Sequence, residues 1–104
     1  MSLVTTHVLD TAAGKPAQGV DVRLEFQGTI LARARTDEDG RIRELGPDRL
    51  APGVYRLVFD VEDYLGPDAF FPEIAISFRI LDGEAHHHVP VLLSPFGYST
   101  YRGS

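Results

Sequence analysis

The chain has no cysteine among its 104 residues. Disulfide staples and thiolate chemistry, as nucleophile or as metal ligand, are therefore excluded. Nothing in it requires an oxidising compartment. It also lacks any long apolar run, and no stretch approaches the ~20 apolar residues of a membrane-spanning helix. The opening MSLVTTHVLD has neither the basic start nor the apolar core of a signal peptide. The expectation is a soluble, cytoplasmic protein with no membrane partner. Positive charge is scarce as well. Ten Lys and Arg stand against 15 Asp and Glu, for a net charge of −5 and a pI near 5.2, and Lys15 is the only lysine. Nucleic acid asks for a basic face, so it is not an expected partner.

What the chain does have is alternation with a period of two. In Val20-Asp-Val-Arg-Leu-Glu-Phe26, Val20, Val22, Leu24 and Phe26 face one way and the charges the other. Ile74 to Ile80 repeats the pattern with Ile74, Ile76, Phe78 and Ile80. Val54 to Val61 repeats it with Tyr55, Leu57, Phe59 and Val61. Weaker strands are read at 3–10, 30–36, 41–45, 86–94 and 98–103. Turn signals separate them: Asp10 to Pro16, Asp37-Glu-Asp-Gly40, Pro52-Gly53 and Ser94-Pro-Phe-Gly97. One short helix is expected around Glu62 to Leu65, ended by Gly66-Pro67. Eight short strands without a long helix predict an all-β fold. The expected architecture is an eight-stranded antiparallel two-sheet sandwich, one domain over residues 1–104.

Some strands carry unusual groups on the face away from the core. If Val8 and Val89 point inward, His7 and His88 both point outward, with Leu9 and Leu92 beside them. Ser99, Tyr101 and Gly103 alternate onto one face of the last strand. Histidine, tyrosine and leucine together suit a buried interface better than a wetted surface. His86 and His88 share a face at a spacing that suits a metal ion, and His7 could supply a third ligand. No cysteine and no carboxylate motif completes such a set, so no metal is expected. Arg41 follows the Asp37–Gly40 turn, where a held guanidinium can clamp a planar anion or carbonyl. A surface arginine that only staples the turn reads equally well.

Taken in order, several segments resemble one family. They are Thr6-His-Val-Leu-Asp10, Gly14-Lys-Pro-Ala17, Asp39-Gly-Arg41, Phe70-Phe71-Pro72-Glu73, His86-x-His-Val-Pro90 and Leu92-Leu-Ser-Pro-x-Gly-Tyr-Ser-Thr-Tyr-Arg-Gly-Ser104. Together they resemble the 5-hydroxyisourate hydrolases, the transthyretin-related enzymes of urate breakdown. The closing Tyr-Arg-Gly-Ser is the piece that separates these enzymes from transthyretin itself. His87 departs from the pattern, since the enzymes often carry tyrosine there. Phe96 stands where they carry tyrosine in the turn.

The resemblance implies a transthyretin-like sandwich that assembles as a homotetramer, a dimer of dimers, with sites where dimers meet across the first, seventh and eighth strands. It implies hydrolysis of the cyclic amide (N1–C6) of 5-hydroxyisourate to 2-oxo-4-hydroxy-4-carboxy-5-ureidoimidazoline, without a cofactor. The implied catalytic residues are His7, Arg41, His88 and Ser104. The implied substrate-binding residues are His7, Arg41, Tyr101, Arg102 and Gly103. His86 is expected to stand outside the chemistry, and the end of the chain is expected to form part of the pocket. The alternative is a transthyretin-like small-ligand binding protein without catalysis. Such a carrier wants a long open tunnel, and Tyr101 on the tunnel face would close it.

Overall fold

The computed structural model describes residues 2–104. Alternation becomes strands wherever the apolar half finds a core. The elements are β1 (Val4–Asp10), β2 (Lys15–Pro16), β3 (Asp21–Phe26), β4 (Thr29–Arg35), β5 (Arg41–Ile42), β6 (Gly53–Asp60), α1 (Glu62–Leu65), β7 (Glu73–Ile80), β8 (His87–Ser94) and β9 (Gly97–Thr100). They form two sheets. One runs β4-β3-β6-β7; the other runs β2-β1-β8-β9, with β5 also paired to β1. No helix among the described residues is long and apolar enough to cross a membrane.

The two-sheet sandwich and the short helix stand where expected, but the strands differ from the eight-stranded antiparallel reading in three ways. Lys15–Pro16, expected as turn, pairs with Leu9 and Asp10 and makes a ninth strand. The expected strand at 41–45 shortens to Arg41–Ile42, because only Thr6 and His7 offer it partners. Most consequentially, β1 and β8 run parallel, with Val4 opposite His87 and Asp10 opposite Leu93. A parallel pair needs a long crossover. Here the whole of the other sheet, β3 to β7, supplies it. Local alternation carries no information on strand direction, so the sequence could not reveal this.

Both inner faces meet in one core that includes Val8, Leu24, Leu57, Phe59, Ile74 and Leu93, all buried. His87 points into this side and is buried too, its Nδ1 donating to the Ala85 carbonyl at 2.5 Å. Tyr64 of α1 donates its hydroxyl to Asp10 at the end of β1 at 2.7 Å. Partial burial and that carboxylate push the Tyr64 phenol up to about 12. β3 and β4 join through Gln27 and Gly28, both at positive φ, as a two-residue hairpin requires.

The Asp37–Gly40 turn locks onto β1 beside its first histidine. Asp37 Oδ1 accepts the Asp39 and Arg41 N–H groups at 2.9 and 3.0 Å, and Gly40 donates to the Asp37 carbonyl. The Gly40 carbonyl in turn accepts from Val8 N–H at 2.7 Å. Gly40 sits at φ +74, and a Cβ there would lie 2.4 Å from the Val8 carbonyl oxygen. No side chain yields in that contact; backbone has to move. Gly40→Ala is expected to destabilise the fold by ~2 kcal/mol or more, through left-handed backbone strain plus this clash. Urea unfolding measures it as a lower midpoint; an unchanged midpoint contradicts the packing described.

Candidate active site

Parallel pairing sets the register that builds the site. Thr5 lies opposite His88 and His7 opposite Pro90, while on the other edge of β1 Arg41 lies opposite His7. Because β1 sends Val4, Thr6 and Val8 into the core, Thr5 and His7 emerge on the outer face. The same alternation in β8 buries His87 and Val89 and puts His88 outside. Four polar groups from three strands, separated by up to 83 positions in the chain, thus gather on one patch of sheet.

A pocket of about 160 Å³ opens on this patch, lined by Thr5, Arg41, Arg43, His86, His88 and Ser104 among others. His88 is half-buried, and its Nδ1 lies 2.7 Å from the Thr5 hydroxyl. The His88 imidazole is held below the ordinary histidine range. Burial is the first cause, followed by the positive charge of Arg41 and the neighbouring His86 and His7. A hydrogen bond with Thr5 opposes them in part. At neutral pH His88 is thus an uncharged imidazole in a positive setting, the state a general base requires.

His7 is fixed differently. Its Nε2 lies 2.9 Å from the Asp39 carbonyl oxygen. A carbonyl only accepts, so Nε2 carries the hydrogen and Nδ1 is left as an acceptor. Nearby arginines are engaged, Arg35 with Asp21 and Arg43 with Asp37 at 2.8 and 3.0 Å. The Arg41 guanidinium makes no ion pair among the described residues, although the turn pins its backbone. It is a positioned cation with its donors available.

The closing segment reaches the same patch. β9 ends at Thr100, whose hydroxyl donates to the Pro90 carbonyl, and the chain then bridges back to β8 at Gly103. Gly103 N–H donates to the His88 carbonyl at 2.8 Å. A Cβ at Gly103 would stand 2.5 Å from His88 Cδ2 and 3.2 Å from Pro90 Cγ. The glycine is needed for space, since its φ carries no left-handed strain. Ser104 follows it into the pocket.

Not every expected residue arrives there. Tyr101 is 57% exposed, and with Arg102 it lines a neighbouring hollow of about 270 Å³ between β7 and β8, which shares His88 with the first pocket but not Arg41. Gly103 touches the back of His88. One residue went unread in the sequence, and another had been set outside the chemistry. Thr5, 5% exposed, and His86 both line the pocket, and His86 Nε2 lies 2.8 Å from the Thr5 hydroxyl. Alternation with His7 put Thr5 on the outer face, but nothing local said that His88 would stand opposite it. The histidines do not gather their ring nitrogens as one ligand set; among the described residues that geometry occurs at Asp21, Asp60 and Asp63, far along the other sheet.

Comparison with known proteins places this arrangement. The sequence profile of the HIUase/Transthyretin family matches residues 4–103. The 5-hydroxyisourate hydrolase of Salmonella dublin is 47% identical over 111 residues, covering 99% of this chain and 82% of that protein. The solved structure of Klebsiella pneumoniae 5-hydroxyisourate hydrolase superposes over all of both chains with a TM-score of 0.91 at 37% identity. Sea bream transthyretin in complex with thyroxine superposes with a TM-score of 0.87 at 29% identity, over 97% of this chain and 94% of that one. With a profile match over residues 4–103 and 47% identity to a relative covered over 82% of its length, the chain belongs to the HIUase/Transthyretin family.

Proposed function

We propose that this protein hydrolyses the N1–C6 cyclic amide of 5-hydroxyisourate, releasing 2-oxo-4-hydroxy-4-carboxy-5-ureidoimidazoline. The observation that carries this is the uncharged His88 facing an unpaired Arg41 across one small pocket. The near-half identity to a named hydrolase supports it. A cyclic amide needs water as nucleophile, a base for its proton and a cation for the developing oxyanion. His88 takes the proton from water. Arg41 holds the planar ring and the charge that develops on the C6 oxygen. His7, with its Nε2 hydrogen committed to Asp39, presents Nδ1 to orient the water, takes the second water proton from the hydroxyl of the tetrahedral intermediate and hands it to the departing N1 as the C6–N1 bond breaks. Ser104 contributes its hydroxyl to the pocket floor, and Gly103 keeps His88 in place from behind.

Tyr101 and Arg102 complete the substrate site in a homotetramer, a dimer of dimers that acts in the cytoplasm. Assembly is supported by edge strands that include β7 and β9, and by exposed apolar side chains that include Phe70 and Phe96. Such edges are covered in most stable proteins. A carrier of greasy ligands, as the thyroxine complex of the sea bream protein illustrates, fits less well, because the pocket joins two arginines to two histidines.

His7→Ala, Arg41→Ala and His88→Ala are each expected to lose roughly 10²–10⁴-fold of the accelerated decay of fresh 5-hydroxyisourate. Decay rates equal to the parent protein in all three reject this site. Because the His88 value is lowered, its neutral form persists on acidification. The acidic limb of kcat/KM should therefore fall below pH 6.5, the ordinary histidine value; a midpoint at or above 6.5 contradicts the assignment of His88 as base. Gly103→Ala, with its Cβ driven into the His88 ring, should lower kcat by roughly tenfold or more while the unfolding midpoint changes little. Full turnover in this variant would show that His88 does not rest on the closing segment.

A further inference from the structure

The hydroxyl of Thr5 touches two imidazoles at once. It lies 2.7 Å from His88 Nδ1 and 2.8 Å from His86 Nε2, and the two rings stand 6.1 Å apart, tilted by 29°. Thr5 is buried beneath them. Its branched Cβ restricts χ1, and β1 is paired on both edges, so the oxygen is held between the rings. A hydroxyl has one hydrogen and two lone pairs. The Thr5 hydroxyl has no third partner among the described residues, so its hydrogen goes to one ring and it accepts from the other. The two histidines therefore cannot choose tautomers independently. If His88 Nδ1 donates to Thr5, Thr5 donates to His86 Nε2, and His88 Nε2 is bare. If His86 Nε2 donates, Thr5 donates to His88 Nδ1, and His88 Nε2 carries hydrogen. Only the first arrangement leaves His88 a base on its far nitrogen.

The two ends differ in surroundings. His88 is half-buried and faces Arg41, Arg43, His7 and Ser104, so positive charge is unwelcome there. His86 is exposed and also borders a second hollow lined by Asp48 and Glu84. Glu84 pairs with Arg49 at 2.7 Å, and Asp48 makes no ion pair among the described residues. The way out for a proton thus leads from His88 past His86 to solvent.

We propose that Thr5 is a positioning residue whose hydroxyl couples the tautomers of His86 and His88 and passes the proton taken up by His88 on to His86 at the solvent edge. The assignment rests on the hydrolase reading for its catalytic consequence. The step balances. Water gives a proton to His88 Nε2, His88 Nδ1 gives its own to Thr5 Oγ1, and Thr5 gives its hydrogen to His86 Nε2. His86, now an imidazolium, releases a proton toward the carboxylate-lined hollow. His88 ends neutral with hydrogen on Nε2, so no lasting positive charge builds beside Arg41. The reverse passage restores the starting tautomers: a solvent proton goes to His86 Nδ1, the Nε2 hydrogen of His86 to Thr5, that of Thr5 to His88 Nδ1, and the His88 Nε2 hydrogen is lost to solvent as product leaves. His86, which the sequence set outside the chemistry, becomes the outer end of the relay.

The test is Thr5→Val, which keeps the shape and removes the hydroxyl, with Thr5→Ser as the conservative variant. Ring 15N NMR of the full chain reads the tautomers directly, whatever the activity. In the parent protein and in Thr5→Ser, His86 and His88 should show complementary, fixed tautomers. In Thr5→Val each should revert to an independent mixture. With 5-hydroxyisourate, Thr5→Val should lose about tenfold in kcat, the size of one lost hydrogen bond to the imidazole, and show an altered pH profile, both restored by serine. His86→Ala frees His88 without touching β1 and should change its tautomer and the pH profile in the same way, which keeps the proposal testable if Thr5→Val fails to fold. Unchanged His88 tautomers in Thr5→Val or in His86→Ala overturn the coupling. If the parent protein itself leaves substrate decay unaltered, the hydrolase reading fails, while the NMR arm still decides whether the hydroxyl bridges the rings.

Discussion

The pairing of β1 with β8 is the constraint on which the rest of the structure depends. It is the one parallel ladder among the described residues, and it joins residues 4–10 to residues 87–93. Its register puts Thr5 beside His88 and brings His7 within reach of the same pocket. A slip by one residue would send every side chain of β8 to the opposite face, burying His88 and expelling His87. Burial of Val4, Val8, Val89, Val91 and Leu93 on the inner faces fixes that register. Core packing therefore determines the geometry of the outer face. Because these contacts close nearly the full length of the chain, they form at high entropic cost and belong to the slow part of folding.

A second layer of order is electrostatic. Arg41 is aimed by backbone contacts of the Asp37–Gly40 turn and makes no ion pair among the described residues, although its charge also reaches the Asp37 carboxylate. Its charge falls on a half-buried imidazole rather than on an ion-pair partner. Structural arginines of this protein look different: Arg35 and Arg43 each meet an aspartate on the surface. An unpaired cation beside a depressed imidazole stores unfavourable charge that an electron-rich substrate can relieve.

Much of this was legible in the sequence, and the gaps have a physical pattern. Period-two alternation located the main strands of the two sheets, and the Gly66-Pro67 stop located the short helix at Glu62–Leu65. Alternation also put His7 and His88 on the outer face. It was blind to strand direction, so the parallel ladder came as a correction, and with it the partnership of Thr5 with two histidines. Tyr101 and Arg102 were assigned from the pattern of the closing segment, and the single chain puts them in the adjacent hollow. Spacing along one strand says which residues share a face. It does not say what the neighbouring strand sets opposite them, and Thr5 was missed for that reason.

The central claim is that the pocket of His88, Arg41 and His7 turns over a cyclic amide. Freshly formed 5-hydroxyisourate decays on its own, and its ultraviolet absorbance follows the decay. Adding catalytic amounts of this protein should speed the loss in proportion to protein concentration, with saturation as substrate rises. A decay curve identical with and without the protein, at every concentration, would contradict the account.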